Sequence, residues 1–211
     1  MTSAMLSASS LLTPEDPVLL LVDPQPGLAF VVESQSRVTL ENNLVALAET
    51  AAAFKIPTVL TTSASVKYSG PAFPMLLTAA GSLETMERTG MNAWDAPAVR
   101  DAITSTGRKT ILLAGLLTEA CVTFTAISAL AAGFDVRVVV DACGASSQVA
   151  HETSISLMMQ AGMMPRTWLQ VLLELQRDWT RHATYDAATA VIKKHAGAYG
   201  IGLDYAKAML S

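Results

Sequence analysis

Short apolar runs alternate with amphipathic segments along most of the chain. The runs are rich in β-branched residues and are bounded by turn-forming residues, which favours buried strands. They lie at 18–22, 57–62, 85–89, 110–114, 134–141 and 163–168. Between them apolar residues recur at helical spacing, as Leu40, Leu44 and Leu47 do. These segments predict helices over 39–54, 75–80, 96–105, 122–132 and 148–160.

Strands that alternate with helices in this way predict an α/β fold. We expect a three-layer, doubly wound sheet of six parallel strands with helices on both faces. No linker or internal repeat interrupts the alternation, so 15–211 is predicted to be a single domain. Residues 1–14, which are small and polar, are predicted to be a flexible leader. A C-terminal helical extension is predicted from about residue 170, with breaks near Thr180 and 197–202.

The composition indicates how the apolar surface is hidden. Apolar residues make up 51% of the 211 residues and charged residues only 15%, against about 25% charged in a typical domain. Asp135 and Arg137 interrupt the longest apolar candidate, which therefore falls short of a membrane span. The first residues lack the basic region of a secretory signal. We therefore expect a cytoplasmic homo-oligomer, a tetramer or octamer, without a membrane partner.

Charge and motifs exclude several other function classes. The net charge is −4 and no Lys/Arg cluster exceeds two neighbours, which argues against nucleic acid as a partner. The chain lacks the glycine-rich dinucleotide motif after its first strand, a P-loop and an H-E-x-x-H helix. Two cysteines, Cys121 and Cys143, form no metal framework and are expected to be reduced, with a disulfide between them as the alternative. We predict a small-molecule substrate, no metal and no cofactor.

Three chemically active residues stand at predicted strand ends. Asp23, Arg88 and Cys121 each follow or end a strand, and parallel sheets bind ligands outside the carboxyl ends of their strands. Cys121 comes after a turn allowed by Gly115 and a helix cap supplied by Thr118. The positive end of the helix dipole would then favour the reactive thiolate. The alternative is that Cys121 is a small buried filler.

A nucleophilic cysteine needs a base. Asp23 ends an otherwise apolar strand, and partial burial would raise its pKa to a value suited to accept the thiol proton. Alternatively, it forms a turn before Pro24. His151 could supply a Cys–His pair, and Asp141, which ends the fifth strand, is a rival carboxylate.

Arg88 could serve as a fixed cation beside both groups, although an arginine cannot relay a proton. The alternative is a surface arginine paired with Glu84 or Glu87. Asn92 and Trp94, which follow Arg88, could give a pocket an amide and an aromatic wall, although Trp94 could equally belong to the core.

Three motifs together resemble the isochorismatase-like cysteine hydrolases. They are Asp-x-Gln at 23–25, Gly-x-x-Thr-Glu-x-Cys-Val at 115–122 and Val-Val-Asp-Ala at 139–142. The resemblance extends over about residues 16–180. The segments at 88–94 and 176–179 look like the YcaC-like branch of this family.

The resemblance implies an Asp–Lys–Cys triad, carried onto Asp23 and Cys121, with Arg88 at the lysine position. Asp23 would then have to be the base. The family's non-proline cis peptide maps to Leu116–Leu117, where the amides of Leu117 and Cys121 would face a developing oxyanion.

The resemblance also bears on the pocket and on metals. Candidate pocket residues are Gln25, Asn92, Trp94 and Thr118. Nicotinamidase relatives bind a metal through an Asp-x-His pair and a further histidine, but no histidine precedes His151 here.

The expected function is therefore cysteine-dependent hydrolysis of a small amide or related carbonyl compound through a covalent acyl-enzyme, without a metal. One alternative is a catalytically silent member of the same fold, kept as an oligomer or a small-molecule-binding module. The other is a cofactor-dependent oxidoreductase on the same type of sheet.

Overall fold

The structure, a computed structural model, describes residues 11–81 and 83–210. Within them the predicted strands form one parallel sheet in the order β3-β2-β1-β4-β5-β6. The strands are β1 (Pro17–Val22), β2 (Thr58–Ser63), β3 (Thr85–Arg88), β4 (Thr110–Leu116), β5 (Asp135–Gly144) and β6 (Met164–Arg166). The predicted all-parallel α/β fold is confirmed.

Helices cover both faces of this sheet. In the described part of the chain they are α1 (Pro26–Ala29), α2 (Arg37–Ala53), α3 (Pro74–Ala79), α4 (Pro97–Ser105), α5 (Thr123–Ala131), α6 (Gln148–Gln160), α7 (Trp168–Gln176), α8 (His182–His195) and α9 (Ala198–Leu210). Helix α2 packs with α3, α7 and α8, whereas α5 packs with α6 and with the turn before α4. The two groups form the outer layers around β1 and β4, whose residues are all buried.

The strand order places a switch point between β1 and β4. The chain builds the sheet outward from β1 to β3, returns to β4 and builds outward again to β6. Ligands of such sheets bind beside the strand ends where the order reverses. Asp23 follows β1, and Cys121 lies shortly after β4. Both therefore stand at this point.

Gly115 does not form the predicted turn. It lies inside β4, with φ of +133°. A Cβ atom there would lie 1.9 Å from the carbonyl oxygen of Val22 on β1, so only glycine permits this approach of the two strands. The chain turns afterwards, at a cis peptide bond between Leu116 and Leu117. A π-helical turn, Thr118–Val122, then runs directly into α5.

The predictions for the two ends of the chain have different outcomes. Residues 1–10 of the predicted leader lie outside the described residues. Leu12, within the same leader, is fully buried, and its backbone bonds to the side chains of Glu174 and Arg177. At the other end, breaks at 177–181 and 196–197 separate α7, α8 and α9, as predicted near Thr180 and 197–202. Helix α9 then continues through Gly200, which allows close contact with Lys193 of α8.

Several large apolar side chains remain exposed on the helices and on the loop after β2. They include Phe30, Val66, Tyr68, Val149, Leu157, Met159, Ile201 and Leu210. None of the helices in the described ranges combines the length and apolar character needed to cross a membrane.

Candidate active site

Asp23 lies at the centre of the switch point and is completely buried. It adopts a positive φ of 51°, a conformation that aspartate tolerates better than most residues. One carboxylate oxygen accepts a hydrogen bond of 2.8 Å from the hydroxyl of Thr61, and the other forms an ion pair with Arg88. Asp23 is therefore held from two other strands.

Arg88 reaches Asp23 from the end of β3 and is 7% exposed. The alternative of a surface arginine paired with Glu84 or Glu87 is therefore wrong. The carboxylate of Glu87 instead accepts hydrogen bonds from the Thr62 hydroxyl and the Ser65 amide. Arg88, the next residue of β3, points inward because successive side chains of a strand face opposite sides.

Only part of the Arg88 guanidinium has a partner. The Nη2 atom donates to Asp23, while Nε and Nη1 are buried and have no hydrogen-bond acceptor among the described residues. A buried donor without an acceptor costs about 1–3 kcal/mol. Such donors at the carboxyl ends of parallel strands are candidates for contact with a ligand.

Cys121 lies in the π-helical turn after β4 and is 8% exposed. Its thiol interacts with the side chains of both Asp23 and Arg88. Burial raises the pKa of the Cys121 thiol, the Asp23 carboxylate raises it further, and the Arg88 guanidinium opposes both effects. The resting site therefore favours the neutral thiol, whereas the helix position alone predicted thiolate.

Asp23 is shifted in the direction that suits a base. Burial raises its pKa, although Arg88, Thr61 and Cys121 act in the opposite direction. A carboxyl group with a raised pKa is better able to hold a proton that it takes from a thiol.

Gln25 is fully buried, but its polar atoms bond to the backbone. Its Nε2 donates to the carbonyl oxygens of Ser63, at 3.2 Å, and Gly70, at 2.6 Å, and its Oε1 accepts from the Ser63 amide at 2.8 Å. These bonds join both ends of the loop at 64–69, which contains a π-helical turn, Ser65–Ser69. The sequence had suggested contact with substrate, and its side-chain amide is instead occupied by this loop.

Thr118 is also buried, and it does not cap α5. Its hydroxyl lies 3.0 Å from Nδ1 of His151, in the first turn of α6, so the side chain is turned away from the helix end. Burial lowers the pKa of His151. His151 thus contacts the turn that contains Cys121, whereas the groups that act on the thiol itself are Asp23 and Arg88.

Asn92 and Trp94 do not join these residues. The Asn92 side chain accepts from the Trp94 amide and donates to the Ser128 hydroxyl on α5. The Trp94 ring is 8% exposed and packs edge-on against Phe134, with 5.1 Å between ring centroids. Phe134 immediately precedes β5, so the Trp94 ring packs in the core against this segment.

The rival carboxylate and the second cysteine are likewise separate from Cys121. Asp141 accepts a 2.9 Å hydrogen bond from the Trp168 amide at the start of α7, and burial raises its pKa to about 6. Cys143 is fully buried, with its thiol on the carbonyl oxygen of Val139, and burial raises its pKa to about 12. Across the described ranges, no group of three or more His, Cys, Asp or Glu residues could hold a metal.

The chain that forms this fold and this site matches the model of a known family over most of its length. The model of the isochorismatase domain matches residues 17–170, and the chain belongs to this family.

The relatives place it in the YcaC-like branch. The "Probable hydrolase YcaC" of Escherichia coli is 39% identical over 165 residues, which cover 78% of this chain and 79% of that protein. The solved ycaC gene product of E. coli, called an octameric hydrolase of unknown specificity, has a TM-score of 0.90 at 35% identity, over 98% of this chain and 100% of that one. YcaC from Pseudomonas aeruginosa, solved with hexane-2,5-diol and covalent acrylamide, has a TM-score of 0.89 at 35% identity, over 95% and 98%. The family resemblance predicted from the motifs is confirmed.

Proposed function

We propose that this protein is a cysteine-dependent hydrolase of a small amide or related carbonyl compound and acts through a covalent acyl-enzyme. One observation supports this most strongly. The side chains of Asp23, Arg88 and Cys121, which come from three separate strand ends, interact with one another in a buried site. A nucleophile, a base with a raised pKa and a fixed cation are the groups that acyl transfer requires.

In the proposed reaction Asp23 takes the proton of the Cys121 thiol. The sulfur then bonds to the substrate carbonyl carbon, and the carbonyl electron pair moves to oxygen. We propose that the amides of Leu117 and Cys121 bind this oxyanion. The intermediate collapses to a thioester as the amine leaves with the proton held by Asp23. A water molecule that gives a proton to Asp23 then attacks the thioester, and the thiol is restored with release of the acid.

Arg88 has an electrostatic part in this scheme. Its guanidinium stays protonated, so it stabilises the carboxylate before proton transfer and the thiolate afterwards. A lysine at this position could also donate a proton, but an arginine cannot. The proton transfers are therefore assigned to Asp23 alone.

The relatives support two parts of the proposal. The P. aeruginosa protein was solved with covalent acrylamide, and in this chain Cys121 is the group that we expect to react with such an electrophile. The E. coli protein is called octameric. Exposed apolar side chains such as Leu157 and Ile201 fit a homo-oligomer here too. We propose a cytoplasmic tetramer or octamer, which sedimentation of the purified protein would test.

A catalytically silent, small-molecule-binding member of the family is the second candidate. The observation in its favour is the burial of Cys121, which raises the pKa of the thiol and leaves little thiolate at rest.

One experiment separates the two functions. Wild type, Cys121→Ala and the matched control Cys143→Ala are screened against small amides, thioesters and imides. For an enzyme, turnover disappears in Cys121→Ala and persists in Cys143→Ala, and a mass adduct forms on Cys121 with slow substrates. Equal turnover in Cys121→Ala and wild type would refute the cysteine mechanism. Binding without turnover in all three proteins would favour the silent member.

A further inference from the structure

The Arg88 guanidinium offers more donors than the site itself uses. Its Nη2 atom is paired with Asp23, while Nε and Nη1 are buried and without an acceptor in the described part of the chain. The side chain as a whole is 4% exposed, so bulk solvent does not cover these donors freely. These two nitrogens can therefore donate hydrogen bonds to a ligand that lies beside Cys121.

The Cys121 sulfur cannot accept hydrogen bonds from both of these nitrogens. In a planar guanidinium the Nε–H bond points away from Nη1, so a single acceptor atom cannot bond to both nitrogens. The Cys121 side chain, which already interacts with Arg88, can take one of these donors. At least one nitrogen of Arg88 is then left for an atom of the substrate.

The backbone adds positive potential at the same place. The π-helical turn and α5 form a continuous helical segment from Thr118 to Ala131, and Cys121 lies in its first turn. The amino end of such a segment carries a partial positive charge and stabilises anions. The free Arg88 donors and this helix end thus favour the same kind of ligand group, a carboxylate, which guanidinium binds well.

We propose that Arg88 and the amino end of the Thr118–Ala131 segment form a carboxylate subsite. The substrate would then be a small amide or related carbonyl compound that carries a carboxylate next to the carbonyl attacked by Cys121. This inference rests on the proposed function, because it places the carboxylate relative to a carbonyl that the cysteine attacks.

Two alkylating reagents of nearly equal size test the subsite. Iodoacetate carries a carboxylate and iodoacetamide a neutral amide. In both reactions the thiolate forms an S–C bond and iodide leaves with the electron pair of the C–I bond. Because both reagents react with the same thiolate, the ratio of their rates does not depend on the pKa of the thiol. Mass spectrometry of peptides separates alkylation at Cys121 from alkylation at Cys143.

We expect the iodoacetate-to-iodoacetamide rate ratio at Cys121 to exceed that of the urea-unfolded protein by about tenfold, since a hydrogen bond to a charged group is strong. Arg88→Lys should bring the ratio down toward the unfolded value, because its single nitrogen is held by Asp23. A second experiment uses wild type alone and measures how far a ligand protects Cys121 against iodoacetamide. Oxamate, which has a carboxylate beside an amide, should protect Cys121, and its neutral analogue oxamide should not.

The outcomes distinguish this inference from the function on which it rests. If both reagents label Cys121 readily but their ratio equals the unfolded value, the carboxylate subsite is refuted and the cysteine mechanism stands. Equal protection by oxamate and oxamide would also refute the subsite. If Cys121 reacts with neither reagent in the folded protein, the cysteine mechanism itself fails.

Discussion

The ion pair between Arg88 and Asp23 crosses an intervening strand. Asp23 follows β1 and Arg88 ends β3, while β2 lies between them and adds the Thr61 hydroxyl to the same carboxylate. Three neighbouring strand ends are therefore joined through one side chain. The pair should matter for folding as well as for chemistry.

Replacing Arg88 by methionine should destabilise the protein strongly. The change leaves the Asp23 carboxyl group buried without its cation, and breaking one side of a buried ion pair costs about 3–5 kcal/mol. Urea unfolding measures the loss. Lys193→Met is the matched control, because its partner Asp204 is 65% exposed and such surface pairs contribute less than about 1 kcal/mol. The double variant Asp23→Asn/Arg88→Met should regain part of the loss. Equal losses for Arg88→Met and Lys193→Met would contradict the structural role.

Asp23→Asn should lower the pKa of the Cys121 thiol while it reduces turnover. The carboxylate opposes ionisation of the thiol, so its removal favours thiolate, although burial remains the largest influence. Because Asp23 is the proposed base, its replacement should still slow turnover of an identified substrate by about 100-fold or more. The pH dependence of alkylation by iodoacetamide reports the thiol pKa. Asp186→Asn, on the exposed surface of α8, should change neither quantity. An unchanged or higher thiol pKa would show that the two groups are not coupled.

Gln25→Ala should loosen the loop at 64–69. The substitution removes three hydrogen bonds that hold both of its ends, each worth about 1 kcal/mol. Local opening should therefore become at least about tenfold more frequent, since 1.4 kcal/mol corresponds to a factor of ten. Trypsin cleavage after the exposed Lys67 measures this opening. In the control Gln148→Ala, on the surface of α6, cleavage at Lys67 should match wild type; a match in Gln25→Ala as well would disprove the clamp.

Asp141→Asn should stabilise the protein at neutral pH. The folded-state pKa of about 6 lies above the unfolded value of about 3.9, so the folded state binds the proton more tightly. Protonation stabilises the wild type at low pH, and this contribution is lost as the pH rises through about 6. Asparagine cannot ionise, and its side-chain oxygen can still accept the hydrogen bond from the Trp168 amide.

The gain should be about 1–2 kcal/mol at pH 7.5 after allowance for partial exposure of the side chain, and it should vanish near pH 4. Urea unfolding at the two pH values gives the difference. Asp101→Asn, an exposed change on α4, serves as the control. A gain of the same size at both pH values would show that burial of the charge is not its cause.

The sequence predicted the elements well because their causes are local. Continuous apolar runs such as Val18–Val22 can be recognised without knowledge of any neighbour, and so can the helical spacing of Leu40, Leu44 and Leu47. The rule for parallel sheets then placed Asp23, Arg88 and Cys121 at one edge. Their mutual contact was a hypothesis from topology, and the structure shows it as an ion pair and two thiol interactions.

The predictions that differ from the structure concern contacts between distant segments. Gly115 was interpreted as a turn because its need for space comes from Val22, on another strand. Thr118 was interpreted as a cap, but His151, 33 positions later, occupies its hydroxyl. The direction of the Trp94 ring was equally invisible, since its partner Phe134 belongs to the other half of the sheet.

The Gln25 clamp bears on how this protein can diverge. Asp23 stands two positions before Gln25, whereas the loop closed by that glutamine extends outward to the exposed Val66 and Tyr68. Because Gln25 holds both Ser63 and Gly70, we expect changes between these two residues to leave the Asp23 carboxylate in place. If the proposed function holds, selection can alter the outer loop without moving Asp23, so related proteins with the same reactive groups can differ in the compounds that they bind.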